Sequence, residues 1–280
     1  MGESTRAPKV HTRTELTYND YLKVPELLAL QQPLSSPPHH DEMLFIVIHQ
    51  AYELWFKLLL HEVAQAMRAM GDLQVLQARH FLDRSAVILR LLVQQIHVLE
   101  TLRPIDFLQF RDLLNPASGF QSLQFRQLEF AIGLKNPAYL GFFKNRPDQH
   151  AVLARALEEP SLRDAYYGLL GRLGFEVPVN VALADLEADP TTRAALCAAL
   201  VPVYSDPESN HPLYLLTESL VDLDLLVALW REHHVRVVER VIGAKIGTGG
   251  SSGVSYLRST TSKQAFPELW DVRTRLEKLP

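Results

Sequence analysis

The stretch HHDEMLFIVIHQAYELWFKLLLHE, residues 39–62, predicts a long amphipathic helix. Its apolar residues recur at intervals of three and four, the spacing that places side chains on one face of an α-helix. They are Leu44, Val47, Ile48, Ala51, Leu54, Trp55, Leu58 and Leu59. The proline-rich run before it ends in acidic residues, as is typical of a connector that leads into a helix N-terminus. The pattern therefore predicts a helix over residues 42–70.

The same spacing continues along the chain. Residues 73–102 and 213–243 carry equally long patterns, and SLQFRQLEFAIGL, residues 122–134, carries a shorter one. A helix is also expected from Pro25, and residues 147–212 suggest shorter helices divided by prolines. The sequence has no tandem repeat, no alternating strand pattern of useful length and no βαβ rhythm. The predicted fold class is all-α, built of long antiparallel helices that pack as a bundle.

Composition narrows the classes of protein and partner. The chain has 280 residues, 47% apolar and 21% charged, with a formal net charge of −4, so it offers no global basic field for nucleic acid or an anionic membrane. The single cysteine, Cys197, excludes an intramolecular disulfide framework and fits a reducing compartment. The polar N-terminus has no apolar signal core, and no stretch approaches the ~18 apolar residues of a membrane span. We therefore expect a cytoplasmic protein with neither a nucleic acid nor a membrane as its partner.

A glycine-rich segment follows the last long helical pattern. IGTGGSSGVSYL, residues 246–257, gathers four glycines and three serines. A Walker loop would need a lysine and a hydroxyl residue after its last glycine and a strand before it, and a dinucleotide fingerprint would need a βαβ unit. Neither context is present. Two interpretations stay open at this point: a flexible structural loop, or a loop that closes over a ligand.

Two histidines occupy apolar helical faces. His49 shares its face with Phe45, Tyr52 and Phe56, and His234 lies in the last long helical pattern. Each could be a hydrogen-bonded core residue. No HxxxH, HExxH, ExxH or CxxC spacing accompanies either, which argues against a metal held by protein ligands alone. One histidine from each of two distant helices suits a haem between them better, with Cys197 as the competing axial ligand.

Arg111 is a further candidate. It lies near Phe107, Phe110 and Leu114 on its predicted helical face. An arginine in such surroundings often pairs structurally or extends its charged end to solvent. The alternative is bidentate capture of a substrate carboxylate.

Five segments, taken in order along the chain, resemble the tryptophan 2,3-dioxygenase family. The resemblance covers nearly the whole chain and is weakest over residues 147–212. The segments are YNDYLKVPELLALQQPLS (18–35), HHDEMLFIVIHQAYELWFKLLLHE (39–62), FRDLLNPASGFQSLQFRQLEF (110–130), LWREHHVRVVERVIGAKIGTGGSSGV (229–254) and FPELWDVR (266–273). The resemblance implies an all-α homotetramer around a b-type haem. It also implies insertion of O2 across the indole C2–C3 bond of L-tryptophan to give N-formylkynurenine.

The resemblance assigns roles residue by residue. His234 resembles the axial ligand of the haem iron, and His49 resembles the distal histidine that accepts a hydrogen bond from the indole N–H. Arg111 resembles the clamp of the substrate carboxylate, and Thr248 resembles the loop hydroxyl that meets the amino-acid head group. The remaining expected site residues are the indole-pocket walls Phe45 and Phe107, the haem neighbours Ser118 and Trp230, and Tyr18, Tyr21 and Leu22, which would reach a neighbouring subunit's site.

Domain organisation follows from the same resemblance. Residues 1–24 are expected to form an N-terminal arm, and residues 25–280 a single haem-binding catalytic domain. Phe107 stands where some members of the family carry tyrosine, so one hydroxyl is absent from the carboxylate site.

Two other functions fit parts of the pattern. A specialised relative could insert one oxygen atom into a substituted tryptophan or another indole derivative and give an oxindole-type product. A non-catalytic haem sensor would need the axial histidine but not the pairing of Arg111 with Thr248, which weighs against it.

Overall fold

The computed structural model describes residues 16–178, 189–247 and 253–277, and within these ranges the chain is helical. The α-helices are α1 Tyr18–Leu22, α2 Val24–Leu28, α3 His40–Gly71, α4 Val75–Leu99, α5 Pro104–Phe110, α6 Leu123–Ile132, α7 Pro147–Glu158, α8 Leu162–Arg172, α9 Pro190–Ser205, α10 His211–Ile242, α11 Val254–Arg258 and α12 Pro267–Asp271. Short 3₁₀ segments cover Arg111–Leu114, Gly119–Gln121, Pro137–Phe143 and Val272–Arg275. The described ranges contain no strand, which confirms the predicted all-α class.

Three long helices form the centre of the fold. Helix α4 packs against both α3 and α10, and α3 also packs against α6 and α8. Only residues 72–74 separate α3 from α4, so the two form an antiparallel hairpin. Their facing apolar residues, among them Leu59, Leu92 and Leu220, are almost fully buried. This packing supports the long helices that carry the candidate site.

Helix boundaries agree with the predicted segments to within a few residues, and the differences have local causes. Helix α4 ends at Leu99, earlier than the predicted residue 102, and Pro104 then begins α5, because proline lacks only an N–H that the first turn leaves unpaired. Arg111 consequently begins a 3₁₀ segment rather than continuing a long helical face. The described parts of residues 147–212, which leave out 179–188, include three shorter helices, each of which begins at or near a proline, as predicted.

The C-terminal segment is fastened onto α10 by a buried carboxylate. Asp224 accepts hydrogen bonds from the backbone N–H groups of Ala265 (2.8 Å) and Phe266 (3.3 Å) and from Trp270 Nε1 (3.0 Å). Burial raises the pKa of Asp224 despite these donors. Because Asp224 lies ten residues before His234 on the same helix, these contacts help to fix the helix that carries that histidine.

One finding differs from the expectation about membrane spans. By length and composition alone α3 could cross a membrane, as the core helix of a globular protein also can. Helices α4 and α5 pass the same test only if a bend of 90° between them is ignored. The buried face of α3 packs against α4, α6 and α8.

Candidate active site

A predominantly apolar cavity lies between α3, α5, α6 and α10, with α11 at its edge. Its volume is about 280 Å³, close to the lower end of the range for small-molecule sites. It brings together seven residues that the sequence singled out: Phe45, His49, Phe107, Arg111, Ser118, Trp230 and His234. These residues come from four separate segments of the chain, so the fold brings together residues that are distant in the sequence.

His49 presents a hydrogen-bond acceptor to this cavity. Its Nδ1 lies 2.7 Å from the carbonyl oxygen of Phe45, one helical turn earlier, and its ring packs 4.1 Å from the Phe45 ring. A carbonyl can only accept, so Nδ1 must carry the proton, and Nε2 of the neutral ring keeps its lone pair. Desolvation by the surrounding protein lowers the pKa of His49, although the Phe45 carbonyl and Glu53 favour the charged form. His49 is therefore neutral at pH 7.

His234 also keeps a free lone pair. Its ring lies parallel to that of Trp230, with centroids 5.4 Å apart and planes 5° apart. Burial lowers the pKa of His234 to about 4, and its electrostatic interactions with His49 and with the Arg126 cation act in the same direction. It makes no hydrogen bond within the part of the chain that the structure describes. A neutral imidazole with a free lone pair on one ring nitrogen can act as a metal ligand.

The neighbouring histidine points elsewhere. His233 does not line the cavity, and its ring lies 5.6 Å from the ring of His97 on α4. Successive helical residues point about 100° apart, which separates the two histidines.

Arg111 lies at the junction of α5 and the following 3₁₀ segment. Its side chain is only 15% exposed, and Nη2 donates to the carbonyl of Ile246, just before the glycine-rich segment. Its Nη1 is 4.0 Å from Asp112, and Nε is buried with no hydrogen-bond partner among the described residues. The guanidinium thus faces the cavity with unused donors. It also contacts the chain that leads into the glycine-rich segment.

The glycine-rich segment is described only at its two ends, and Thr248 lies outside the described residues. At the far end Gly253 has φ +62°, and a Cβ there would lie 2.8 Å from the carbonyl oxygen of Lys245. Glycine is therefore required for the two ends of the segment to approach each other.

The three arm residues do not line the cavity. Tyr18, Tyr21 and Leu22 lie on α1 and are 74%, 73% and 44% exposed. Their predicted contact with a neighbouring subunit remains a prediction.

Sequence reasoning missed two polar groups around the cavity. Arg126, Glu129 and Arg231 form a buried ionic cluster at its wall. Glu53, one turn after His49, accepts hydrogen bonds from Ser122 Oγ (2.5 Å) and Gln124 Nε2 (2.8 Å) and so ties α3 to the start of α6. The two charged residues within LQFRQLEFAI, among five apolar aromatic and aliphatic side chains and an alanine, were the available signal for the first group.

The donor set fits a haem. No three histidine, cysteine or acidic side chains of the described residues lie close enough to hold a metal ion, so a metal here would need a ligand frame of its own. A porphyrin supplies such a frame. Its binding requires from the protein a lone pair for the iron, apolar walls and cations near its carboxylates. His234 can supply the first, Trp230 and the phenylalanines the second, and Arg126 the third.

Fold and cavity together define a class of protein, an all-α enzyme whose ligand site is enclosed between long helices. A family model described as tryptophan 2,3-dioxygenase matches residues 3–189 and 176–276. Tryptophan 2,3-dioxygenase of Xanthomonas euvesicatoria pathovar vesicatoria is 46% identical over 269 residues, which are 95% of this chain and 90% of that protein. Tryptophan 2,3-dioxygenase of a Nocardioides species is 49% identical over 267 residues, 94% of this chain and 95% of that protein. The chain belongs to the tryptophan 2,3-dioxygenase family, which confirms the resemblance seen in its sequence.

Proposed function

We propose that the chain catalyses insertion of both atoms of O2 across the indole C2–C3 bond of L-tryptophan, giving N-formylkynurenine, with a b-type haem as its cofactor. Family membership over most of the chain supports the reaction. The observation that carries the site is the meeting of His49, Arg111 and His234 in one apolar cavity. The haem, when bound, supplies the redox chemistry that makes O2 reactive toward an electron-rich indole.

His234 and His49 would have separate roles, one toward the cofactor and one toward the substrate. His234, neutral and without a hydrogen-bond partner among the described residues, would hold the haem iron. His49 Nε2 would accept a hydrogen bond from the indole N–H, because Nδ1 is committed to the Phe45 carbonyl. Phe45 and Phe107, whose rings lie 5.5 Å apart, would bound the indole and exclude water from it.

The amino-acid part of the substrate would be held by Arg111 and the glycine-rich segment. An ionised carboxylate is a stronger acceptor than the Ile246 carbonyl that Arg111 contacts, so it can take over that donor. Thr248 would contact the amino-acid head group of the substrate, as the family resemblance implies. Fixing the carboxylate and the indole N–H together orients C2 and C3 for reaction.

Isotope labelling tests the reaction. The reduced, haem-loaded protein is given L-tryptophan and ¹⁸O₂, and the product is analysed by mass spectrometry. We expect N-formylkynurenine with two labelled atoms. One labelled atom would instead indicate a monooxygenase of an indole derivative, and absence of product with haem bound would indicate a haem sensor.

We also propose that the chain works as a homotetramer in which residues 1–24 form an arm that reaches a neighbouring subunit. Helix α1 has no buried residue, although it carries two tyrosines and a leucine. Apolar residues on the long helices, such as Val47 and Leu54 of α3 and Val87 of α4, are also exposed in the single chain. Such residues are suited to contacts between subunits.

Removing residues 1–23 should leave a folded, haem-binding protein with weak activity and weakened assembly, because the body of the fold does not depend on α1. Light scattering after gel filtration reports the assembly, and turnover of L-tryptophan reports the activity. Deletion of residues 1–15 alone, which retains α1, is the matched control. A monomeric 1–23 deletion with full activity would contradict the proposal.

A further inference from the structure

Glu42, in the first turn of α3, is a buried carboxylate that holds the segment preceding the helix. Its side chain is almost fully buried. Its oxygens accept hydrogen bonds from the backbone N–H groups of Leu34 (2.6 Å) and Ser35 (3.0 Å) and from the Ser35 hydroxyl. Ser35 Oγ in turn accepts a hydrogen bond from the N–H of His39 (2.7 Å). The three donors to this carboxylate therefore all belong to the segment before the helix.

A second residue of α3 holds the same segment about two turns further along. Gln50 Nε2 donates to the carbonyl of Leu30 (3.1 Å), and Gln50 Oε1 accepts a hydrogen bond from Gln31 Nε2 (2.5 Å). Gln31 Nε2 also donates to the carbonyl of Leu27 in α2 (3.0 Å). Residues 30–35, which we call the strap, thus run beside the start of α3 and connect it with α2.

The strap determines where the N-terminal arm lies relative to its own subunit. Neither α1 nor α2, both of which the structure describes in full, contains a buried residue. Burial of apolar side chains, the usual force that fixes an element against a domain, is therefore not available to these helices within one chain. Their placement depends on the hydrogen bonds of the strap instead.

The hydrogen bonds to Glu42 are the strongest of these contacts, because their acceptor is ionised. Burial acts to raise the pKa of Glu42, but the hydrogen bonds from Ser35 and Leu34, together with the nearby His39, lower it below its usual value. The carboxylate is consequently charged at pH 7. Gln50, by contrast, contributes only neutral hydrogen bonds.

Glu42 can influence the chemistry only indirectly. It is not among the described residues that line the cavity of its own subunit. One route stays within the subunit: the ring of His39 lies 5.8 Å from that of Phe110, which lies 5.8 Å from the ring of Phe45 at the cavity. The other route leads through the strap and the arm to a neighbouring subunit.

We propose that Glu42 is a positioning residue of the second kind, which holds the strap so that the arm reaches the site of a neighbouring subunit. The inference rests on the proposed function and on the proposed contact of the arm with a second copy of this chain. It adds that one buried carboxylate in one subunit controls turnover at the haem of another.

Glu42→Gln should lower kcat/KM for L-tryptophan roughly tenfold, the effect of losing one hydrogen bond to a charged group. Glutamine replaces one acceptor oxygen by a donor, so it cannot satisfy the three donors of the strap. Haem content and the circular dichroism of the helices should be retained. Glu62→Gln is the matched control, since Glu62 is an equally buried carboxylate of α3 whose partner is Arg84 of α4. It should lower the thermal stability but leave kcat/KM unchanged.

Hybrid oligomers separate the two routes. Glu42→Gln subunits with one tag are co-expressed with His234→Ala subunits with another, and oligomers that carry both tags are purified. The His234→Ala subunit is expected to be inactive itself, but it keeps Glu42 and can supply a correctly held arm. We expect turnover per haem to rise several-fold above that of the Glu42→Gln oligomer. Hybrids made with the double variant Glu42→Gln/His234→Ala should show no such gain.

A further variant keeps the test decisive where Glu42→Gln does not fold. Gln50→Ala removes the other contact of the strap without altering a buried charge, and His234→Ala subunits should restore its turnover in the same way. Active wild-type protein whose hybrids show no gain would overturn the role of Glu42 alone, because its effect would then arise within its own subunit. Failure to obtain oligomers with both tags would contradict the exchange of arms. A wild-type protein without turnover of L-tryptophan would overturn the proposed function, and this inference with it.

Discussion

Replacing His234 with alanine is expected to abolish haem retention and catalysis while leaving the helical fold intact. The side chain is half-buried at the cavity and makes no hydrogen bond among the described residues, so its loss removes no structural contact of that kind. In the proposed site it would remove the side chain that holds the haem iron. Because even outer-shell changes around a metal cost about ten- to hundredfold, haem affinity and turnover should each fall by more than about a hundredfold. Absorption spectroscopy of the ferrous protein, with circular dichroism for the fold, measures both points.

His233→Ala is the matched control, since it changes the adjacent residue of the same helix. His233 lies outside the cavity lining and near His97, so its removal should leave the ferrous haem spectrum nearly unchanged. Added imidazole should partly restore the spectrum of His234→Ala, because a small cavity replaces the lost ring. If His233→Ala lost the haem and His234→Ala kept it, the predicted orientation of α10 toward the cofactor would be wrong.

The sequence alone was enough to separate these two histidines because the information is local. Along α10 the stripe of His234 is Val227, Trp230, Val237, Val238 and Val241, with Arg231 as its one charged member. The stripe of His233 includes Arg236 and Arg240. The structure places Trp230 and the three later valines in the cavity lining. Helical periodicity fixes such relations without knowledge of the rest of the fold.

Relations across distant segments could not be predicted in the same way. The ion pair of Glu129 and Arg231 joins residues 102 positions apart, so no spacing rule predicts it. The sequence marks Arg231 as the one charged residue on the stripe of His234, and the structure buries it almost fully. Tertiary pairing, rather than local pattern, decides where such a charge goes.

The position of His49 could be predicted from the sequence, but its protonation state could not. Its place on an aromatic helical face was predictable from Phe45 and Phe56. Which ring nitrogen carries the proton depends on the rotamer, which directs Nδ1 to the carbonyl of Phe45. Side-chain orientation of this kind requires the structure, and it decides that Nε2 is the atom able to receive the indole N–H.

Arg111→Leu should lower kcat/KM for L-tryptophan by roughly ten- to hundredfold, while haem binding is retained. A charge-assisted hydrogen bond is worth ~1.5–3 kcal/mol, which corresponds to that range. Phe107 offers no hydroxyl in this region, so the loss should not be shared with a second donor. Steady-state kinetics with L-tryptophan and with indole, on protein of matched haem content, provide the measurement.

Indole is the decisive control because Arg111 has two possible roles. The arginine could act on the substrate carboxylate, or it could act only through its hydrogen bond to Ile246 and the position of the glycine-rich segment. Indole has no carboxylate but still requires the enclosed pocket. If the carboxylate contact dominates, the variant should keep most of its activity on indole and lose it on L-tryptophan. Equal losses on both substrates would assign Arg111 to the loop, and unchanged kinetics on L-tryptophan would remove it from the site.

Arg111→Lys refines the result, because lysine keeps the charge but cannot form the two parallel hydrogen bonds of a guanidinium. Its kcat/KM for L-tryptophan should therefore lie between those of the wild type and Arg111→Leu.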